Sequence, residues 1–265
     1  MGGQYCQNQL RPLERLLLSK LAPNAKLLDL CCGTGQLVEM LAQQGYQVTG
    51  LDGSEAMLHY AQQNAPQAQF VLADARSFQL PPLFDAVFST SASLNHIMTL
   101  DNLKAVFQSV HASLQSNGLF LFDLNHPAQM EKWWGGQVAE GEIAVNYAWS
   151  ITPMYDAIDR TGYFQVAIFQ APQAEQINLF KGSIYRLLNL SLLTRLRLKV
   201  LSQFQNWEQN WQRSSIRYSV RGHTVEEVES ALKSVGFTEI SVQTIDGDPA
   251  IDANHSAYFL CCKST

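Results

Sequence analysis

The sequence predicts an α/β fold: a doubly wound, mostly parallel sheet with an antiparallel last strand, plus a β-rich insert. Three observations predict it. Strand-like and helix-like segments alternate from about residue 25 to 125, which implies parallel strands joined by right-handed crossovers. An apolar strand at 27–30 runs into a helix at 36–44 through a turn that carries Gly33 and Gly35. The alternation stops after Asp123 and resumes near residue 223.

The elements follow in order. Residues 10–21 read as a helix with Leu13, Leu16, Leu17 and Leu21 on one face and Pro12 in its first turn. The strand at 27–30 is buried on both faces, because its residues are nearly all apolar. Leu37, Met40 and Leu41 give the next segment helical spacing. A second strand, 46–51, ends in Asp52. Residues 54–64 read as a helix capped near Gly53 or Ser54, and 100–114 as another with Leu103, Val106, Phe107, Val110 and Leu114 as its stripe. Residues 143–149 and 162–169 read as strands of an antiparallel insert, with 213–220 as a third. Thr224 and Glu227 form a capping box for a helix at 224–235, and Gly236 ends it. Residues 237–244 and 256–262 form a closing hairpin.

The glycine turn carries chemistry. Glycine lets a ligand approach the backbone closely and adopts φ values other residues avoid. Asp52, at the end of the second strand, can accept both hydroxyls of a ribose. A dinucleotide site needs a third glycine three residues after Gly35, and Val38 stands there. Asp29 precedes the glycines, where it would repel a pyrophosphate and suit a cationic, amino-acid-like ligand. That points to S-adenosylmethionine, which carries a sulfonium and an ammonium.

The motif Asp29-Leu30-Cys31-Cys32-Gly33-Thr34-Gly35 resembles the first motif of the class I S-adenosylmethionine-dependent methyltransferases, with Cys31 in place of the first glycine. Residues 50–58 are similar to the family's ribose motif, 71–75 to its adenine motif, 84–89 to its fourth strand and 114–123 to its fifth. The resemblance covers about 25–125 and the tail at 223–263. It implies a Rossmann-like domain of residues 1–125 and 223–265, interrupted by a substrate lid at 126–222. It implies an enzyme that uses S-adenosylmethionine and releases S-adenosylhomocysteine, and no metal. It also implies roles. Gly33, Gly35 and Cys31 lie against the methionine moiety with Asp29. Asp52 and Gly53 meet the ribose, Met57 an adenine face, Asp74 the adenine amino group, and the Ala75 N–H the ring. Ser89 and Thr90 supply the carbonyl that receives the methionine ammonium, and Tyr5, with Arg11, closes over that end.

Methyl transfer is an in-line displacement, and alignment can supply much of the barrier reduction. A general base is optional for an amine and more often needed for a hydroxyl. The side chains placed to orient a nucleophile are Asn95 and His96 after the fourth strand, and Asn125 and His126 after the fifth; a structural role suits each equally. Asp123 can be a strand-end acid that fixes the turn before Pro127. The insert is aromatic, with Trp133, Trp134, Tyr147, Trp149, Tyr163 and Tyr218. Such rings can cage a cation or simply form a small core.

Composition narrows the classes. The chain has 265 residues, 15% of them charged, and a net charge of −5, which argues against a broad nucleic-acid footprint. The post-strand sequence Ser89-Thr90-Ser91-Ala92 also lacks the motif of amino-methylating nucleic-acid enzymes. The five cysteines show no metal-ligand spacing and read as reduced core residues of a cytoplasmic protein. No signal segment or membrane span is expected. Residues 176–207 carry Lys181, Arg186, Arg195, Arg197 and Lys199 and no acid, leaving the remainder at −10. Arg195 to Val200 alternates like a strand, while Leu188, Leu192, Leu193, Leu196 and Val200 fit a helix face. The stretch reads as a lid element with its charges in water. Alternatives are a contact for an anionic or lipid-like substrate, a membrane-surface helix or a homodimer patch. The reading is methyl transfer to a small-molecule acceptor, nitrogen before oxygen. A tRNA or rRNA methyltransferase and a non-catalytic binding subunit are the alternatives.

Overall fold

The computed structural model describes residues 3–172 and 179–264, with side chains for 9–172 and 181–264. The chain divides into two compact units, 1–129 with 223–265, and 130–222.

The first unit alternates as the apolar pattern requires. It runs α1 (Gly3–Leu16), β1 (Lys26–Leu30), α2 (Gln36–Gln43), β2 (Gln47–Asp52), α3 (Glu55–Asn64), β3 (Gln69–Leu72), β4 (Phe84–Ser89), α4 (Leu100–Ser113) and β5 (Leu114–Leu124). Helix α5 (Pro127–Trp133) follows. In the second unit come β6 (Glu140–Ile143), β7 (Tyr147–Asp156), β8 (Thr161–Gln170), α6 (Leu179–Leu188), α7 (Thr194–Ser202), α8 (Phe204–Trp207) and β9 (Gln212–Arg221). The first unit closes with α9 (Val225–Val235), β10 (Phe237–Gln243) and β11 (Ala257–Lys263).

Seven strands form the main sheet in the order β10-β11-β5-β4-β1-β2-β3. Neighbours from β5 to β3 are parallel, and β11 runs antiparallel to both β5 and β10. Successive strand residues point to opposite faces, so both faces must be covered. Leu28 and Leu30 of β1 join Phe107, Phe120, Phe122 and Phe259 on one side. Leu27 joins Leu13, Leu17, Val38 and Leu41 on the other. Phe122 and Phe259 stack with ring centres 5.0 Å apart. The chain leaves β1 toward β2 in one direction and reaches β4 in the other, so the strand order reverses beside β1. Open α/β sheets bind ligands at the carboxyl ends of strands at such a point.

The second unit is a four-stranded antiparallel sheet, β6-β7-β8-β9. Its core gathers Ile143, Ala148, Ala167 and Phe169 of the sheet with Tyr185, Leu188, Leu201, Phe204 and Trp211. Asn189 clips the end of α6 to β6, donating to the Ile143 carbonyl at 2.7 Å. Arg197 of α7 donates to the Asn189 carbonyl at 3.0 Å. Lys181 and the Tyr185 hydroxyl both donate to Glu208, which is buried.

Two expectations change and one open reading is resolved. The first helix begins at Gly3, so Pro12 sits well inside it and not in its first turn. Residues 143–149 are not one strand. Ile143 ends β6, Tyr147 begins β7, and the Ala144 N–H donates to the Tyr147 carbonyl at 2.7 Å to close the turn between them. Within 176–207, the described part (179–207) is helical, and Arg195–Val200 lies in α7. A two-residue alternation over six positions is too short to fix a period, and Leu, Arg and Lys are good helix formers. The helix at 100–113 is capped by the Thr99 hydroxyl, which accepts from the Asn102 N–H, and Asp101 lies in its first turn.

Candidate functional site

The carboxyl ends of β1 and β2 are fastened to each other. The Cys31 and Cys32 N–H groups donate to the Leu51 carbonyl at 2.8 and 3.0 Å. One Asp52 oxygen accepts from the Gly33 N–H at 2.9 Å, and the other from the Ser54 N–H at 2.9 Å. Asp52 therefore holds the glycine turn and the start of α3 together, while each oxygen keeps a further lone pair for a ligand. Sequence reasoning had given this carboxylate a ligand role only. Cys31, Gly33 and Gly35 all take positive φ, at 65°, 55° and 70°. Cys31 does so without being glycine, a strained conformation of the kind that collects at functional sites.

The two glycines do different things. A Cβ on Gly35 would meet Ala61 Cβ at 2.8 Å and Phe70 at 3.1 Å. That glycine lets α3 and β3 approach the turn. A Cβ on Gly33 would meet nothing within 4 Å. Its outer side opens on free space, as a ligand cradle requires.

Asp29 is 3% exposed, and burial followed by the nearby Asp52 charge pushes it up to about 8. Burial and the same carboxylates hold the Cys31 thiol neutral, pushed up to about 12. Ser54 caps α3, its hydroxyl accepting from the Met57 N–H at 3.3 Å. The Met57 side chain is exposed, an apolar surface one turn from Asp52. After β3, Arg76 donates through Nε to both Asp74 oxygens, at 2.9 and 3.0 Å, and lowers that carboxyl to about 2. Arg76 carried no signal in the sequence. Gly53 precedes the α3 cap and Ala75 is partly exposed beside Asp74. Tyr5 lies in α1, with its side chain outside the described residues, and Arg11 is exposed.

The loop after β4 has its own frame. Ser89 is buried, and its Oγ has no hydrogen-bond partner. The Thr90 carbonyl accepts from the Ser93 hydroxyl at 2.8 Å. Ser91 and Ala92 both adopt positive φ. Buried Asp123 holds this strained pair, its two oxygens accepting from the Ala92 N–H at 3.0 and 3.1 Å. The strand-end acid thus fixes the turn after β4, not the one before Pro127. Asn95 is buried and clasps Asn125, donating to its carbonyl and accepting from its N–H, both at 2.9 Å. The Asn125 side chain accepts from Ser256 at 3.0 Å. His126 is buried with Nε2 at 2.9 Å from the Asp252 carbonyl and 3.1 Å from that of His255. Of the four candidate nucleophile-orienting residues, these three serve the loop framework. His96 is the exposed one. Among the described residues no cluster of three or more His, Cys, Asp or Glu could hold a metal.

A family model described as a methyltransferase domain matches residues 27–118. An "uncharacterized methyltransferase sll0829" of Synechocystis is 37% identical over 167 residues, which span 62% of this chain and 76% of that protein. This chain belongs to the class I S-adenosylmethionine-dependent methyltransferases. Its cofactor is S-adenosylmethionine. The methyltransferase is also 31% identical, over 119 residues, to a dTDP-3-amino-3,4,6-trideoxy-alpha-D-glucopyranose N,N-dimethyltransferase of Streptomyces venezuelae, spanning 45% of this chain and 47% of that one. The crystal structure of Streptomyces venezuelae DesVI shares its fold, with a TM-score of 0.69 at 19% identity over 98% of this chain and 93% of that one. Among the described residues no helix is long and apolar enough to cross a membrane.

The methyltransferase's own geometry suits the cofactor. The open side of Gly33 leaves room, Asp52 keeps a spare lone pair on each oxygen, and the buried Asp29 lies where a bound cation would favour its ionised form. Its buried carboxyls also set a pH dependence. Burial pushes Asp123 up to about 7. An unfolded aspartate ionises near 3.8, so between that value and 7–8 the folded protein holds protons that the unfolded chain has lost. The stability of the cofactor-free protein therefore falls as pH rises from about 4 to 8, by at most about 1.4 kcal/mol per pH unit for each group. Urea unfolding at several pH values checks this. Asp123→Asn keeps an acceptor for the Ala92 N–H and cannot ionise, so it should flatten the slope between about 4 and 7. An unchanged slope would remove Asp123 as its source.

Proposed function

We propose that this methyltransferase transfers the methyl group of S-adenosylmethionine to a nitrogen of a small-molecule acceptor. One observation carries the reading: beside the carboxyl ends of β4 and β5, Asn95 and His126 are spent on backbone groups and the Asn125 side chain on the Ser256 hydroxyl. A site in which three of the four candidate orienting residues are structural suits an amine, which attacks through its own lone pair once it has lost its proton. The similarity to a sugar N,N-dimethyltransferase supports nitrogen.

The cofactor supplies a methyl already activated on a sulfonium. In this reading Gly33, Gly35 and Cys31 admit the methionine moiety to the backbone, and its positive charge favours ionisation of the buried Asp29 beside it. Asp52 accepts from the ribose hydroxyls with its spare lone pairs, and Gly53 keeps that edge clear. Met57 lies on the adenine, Asp74 accepts from its amino group, and the Ala75 N–H meets its ring. Ser89 and the Thr90 carbonyl receive the ammonium, and Tyr5 closes over it. The unit at 130–222 is the part that selects the acceptor.

A screen with labelled S-adenosylmethionine against panels of amines, phenols, carboxylates and tRNA tests the reading. Label should enter amines, with mass spectrometry placing the methyl on nitrogen. Transfer confined to tRNA, or to oxygen acceptors, would overturn it.

A further inference from the structure

The basic stretch singled out in the sequence has a place in the second unit. A cavity of about 680 Å³ lies between α7 and one face of the antiparallel sheet. That volume is typical of a small-molecule site. Arg195 and Lys199 of α7 and Arg213 of β9 line it, with Thr152, Tyr163 and Gln165 of β7 and β8. Among the described residues no carboxylate lines it. The strand pairing explains the convergence. Thr152, Gln165 and Arg217 share one cross-strand row, Met154, Tyr163 and Ser219 the next, so one face presents all of them. The same face carries the core residues Ala148, Ala167 and Phe169 at its other end, under the helices. Beyond that end its residues turn polar. A face that only had to pack would stay apolar there.

One lining cation, Arg213, and its neighbour on the same face, Arg217, are held by rings. Arg213 lies over the Phe169 ring at 5.8 Å. Arg217 lies over the Tyr163 ring at 4.6 Å and donates through Nε to the Gln165 amide oxygen at 3.0 Å, which leaves that amide's NH2 to donate elsewhere. Three cations around one space repel one another, and an anion reverses the sign of the interaction. A single phosphate carries about two charges and fills little of this volume; a diphosphate carries about three and matches the Arg forks, which bind phosphate oxygens in pairs. We propose that the cavity lined by Arg195, Lys199 and Arg213 binds the diphosphate group of a phosphorylated small molecule. The assignment concerns a second ligand and is independent of which atom is methylated.

Calorimetric titration of inorganic pyrophosphate into the full chain tests it, with sulfate at equal ionic strength as control. Pyrophosphate should bind with a Kd of about 1 mM or tighter and sulfate more weakly. The double variant Arg195→Gln with Arg213→Gln should weaken pyrophosphate at least about tenfold. Both side chains are exposed, and an unchanged thermal shift with S-adenosylhomocysteine shows that the variant is folded and its cofactor site intact. No pyrophosphate binding by the parent, or equal binding by the double variant, would overturn the proposal. So would capture by phosphatidylserine vesicles or by tRNA that pyrophosphate does not compete and the double variant abolishes; the basic helix would then serve a lipid or nucleic-acid surface.

Discussion

Gly35→Ala should destabilise the protein by about 2–5 kcal/mol. Two costs add. A non-glycine residue in the left-handed region costs about 1–2 kcal/mol, and Gly35 sits at φ 70°. Forcing an extra carbon into a packed contact costs about 1–3 kcal/mol, and the new Cβ would stand 2.8 Å from Ala61 Cβ and 3.0 Å from its Cα. Ala61 is fully buried on α3, so the helix itself must shift. Urea unfolding reads the loss. Gly33→Ala is the contrast: it meets no atom within 4 Å and pays only the conformational term, about 1–2 kcal/mol. Its methyl projects into the proposed cradle, so it should weaken S-adenosylhomocysteine more than it weakens the fold. If both variants lose stability equally, the division of labour between the two glycines is wrong.

Asp52→Ala should weaken S-adenosylhomocysteine roughly 10- to 150-fold, because a hydrogen bond to a charged acceptor contributes about 1.5–3 kcal/mol. The fold should survive, since the Gly33 and Ser54 N–H groups that lose their acceptor are only partly buried and can turn to water. Asp52→Asn keeps one acceptor oxygen and should fall between parent and alanine variant. Calorimetry gives the affinities. Equal affinity in all three would leave Asp52 as a clamp between the two loops and move the ribose contact elsewhere.

Much of the first unit was legible because its signals are local and agree with one another. Leu27 to Leu30 could only be a strand buried on two sides, Thr224 with Glu227 is a complete capping box, and both appear as read. The second unit was read less well. Strand β9 alternates with a two-residue period through Ile216, Tyr218 and Val220, but the turn at 144–146 lies within an otherwise strand-like run, and the Leu- and Arg-rich segment fits two periods at once. Only its packing under β6 and β8 decides for helix. In the site, the carboxylates were visible but their protein partners were not. The reach from Asp123 to Ala92 spans 31 residues and that from His126 to the 252–255 carbonyls spans well over 120. Such contacts leave no spacing in a sequence. Asn95, Asn125 and His126 looked like chemistry for the same reason: the groups that occupy them come from distant segments.

In the proposed reading the turn Asp29 to Gly35, with Asp52, is built for S-adenosylmethionine and not for a dinucleotide. Calorimetric titration of the full chain with S-adenosylhomocysteine and, separately, NAD tests it most directly. S-adenosylhomocysteine should bind at one site and raise the melting temperature by mass action, and NAD should give neither heat nor shift. Tight binding of NAD with none of S-adenosylhomocysteine would contradict it.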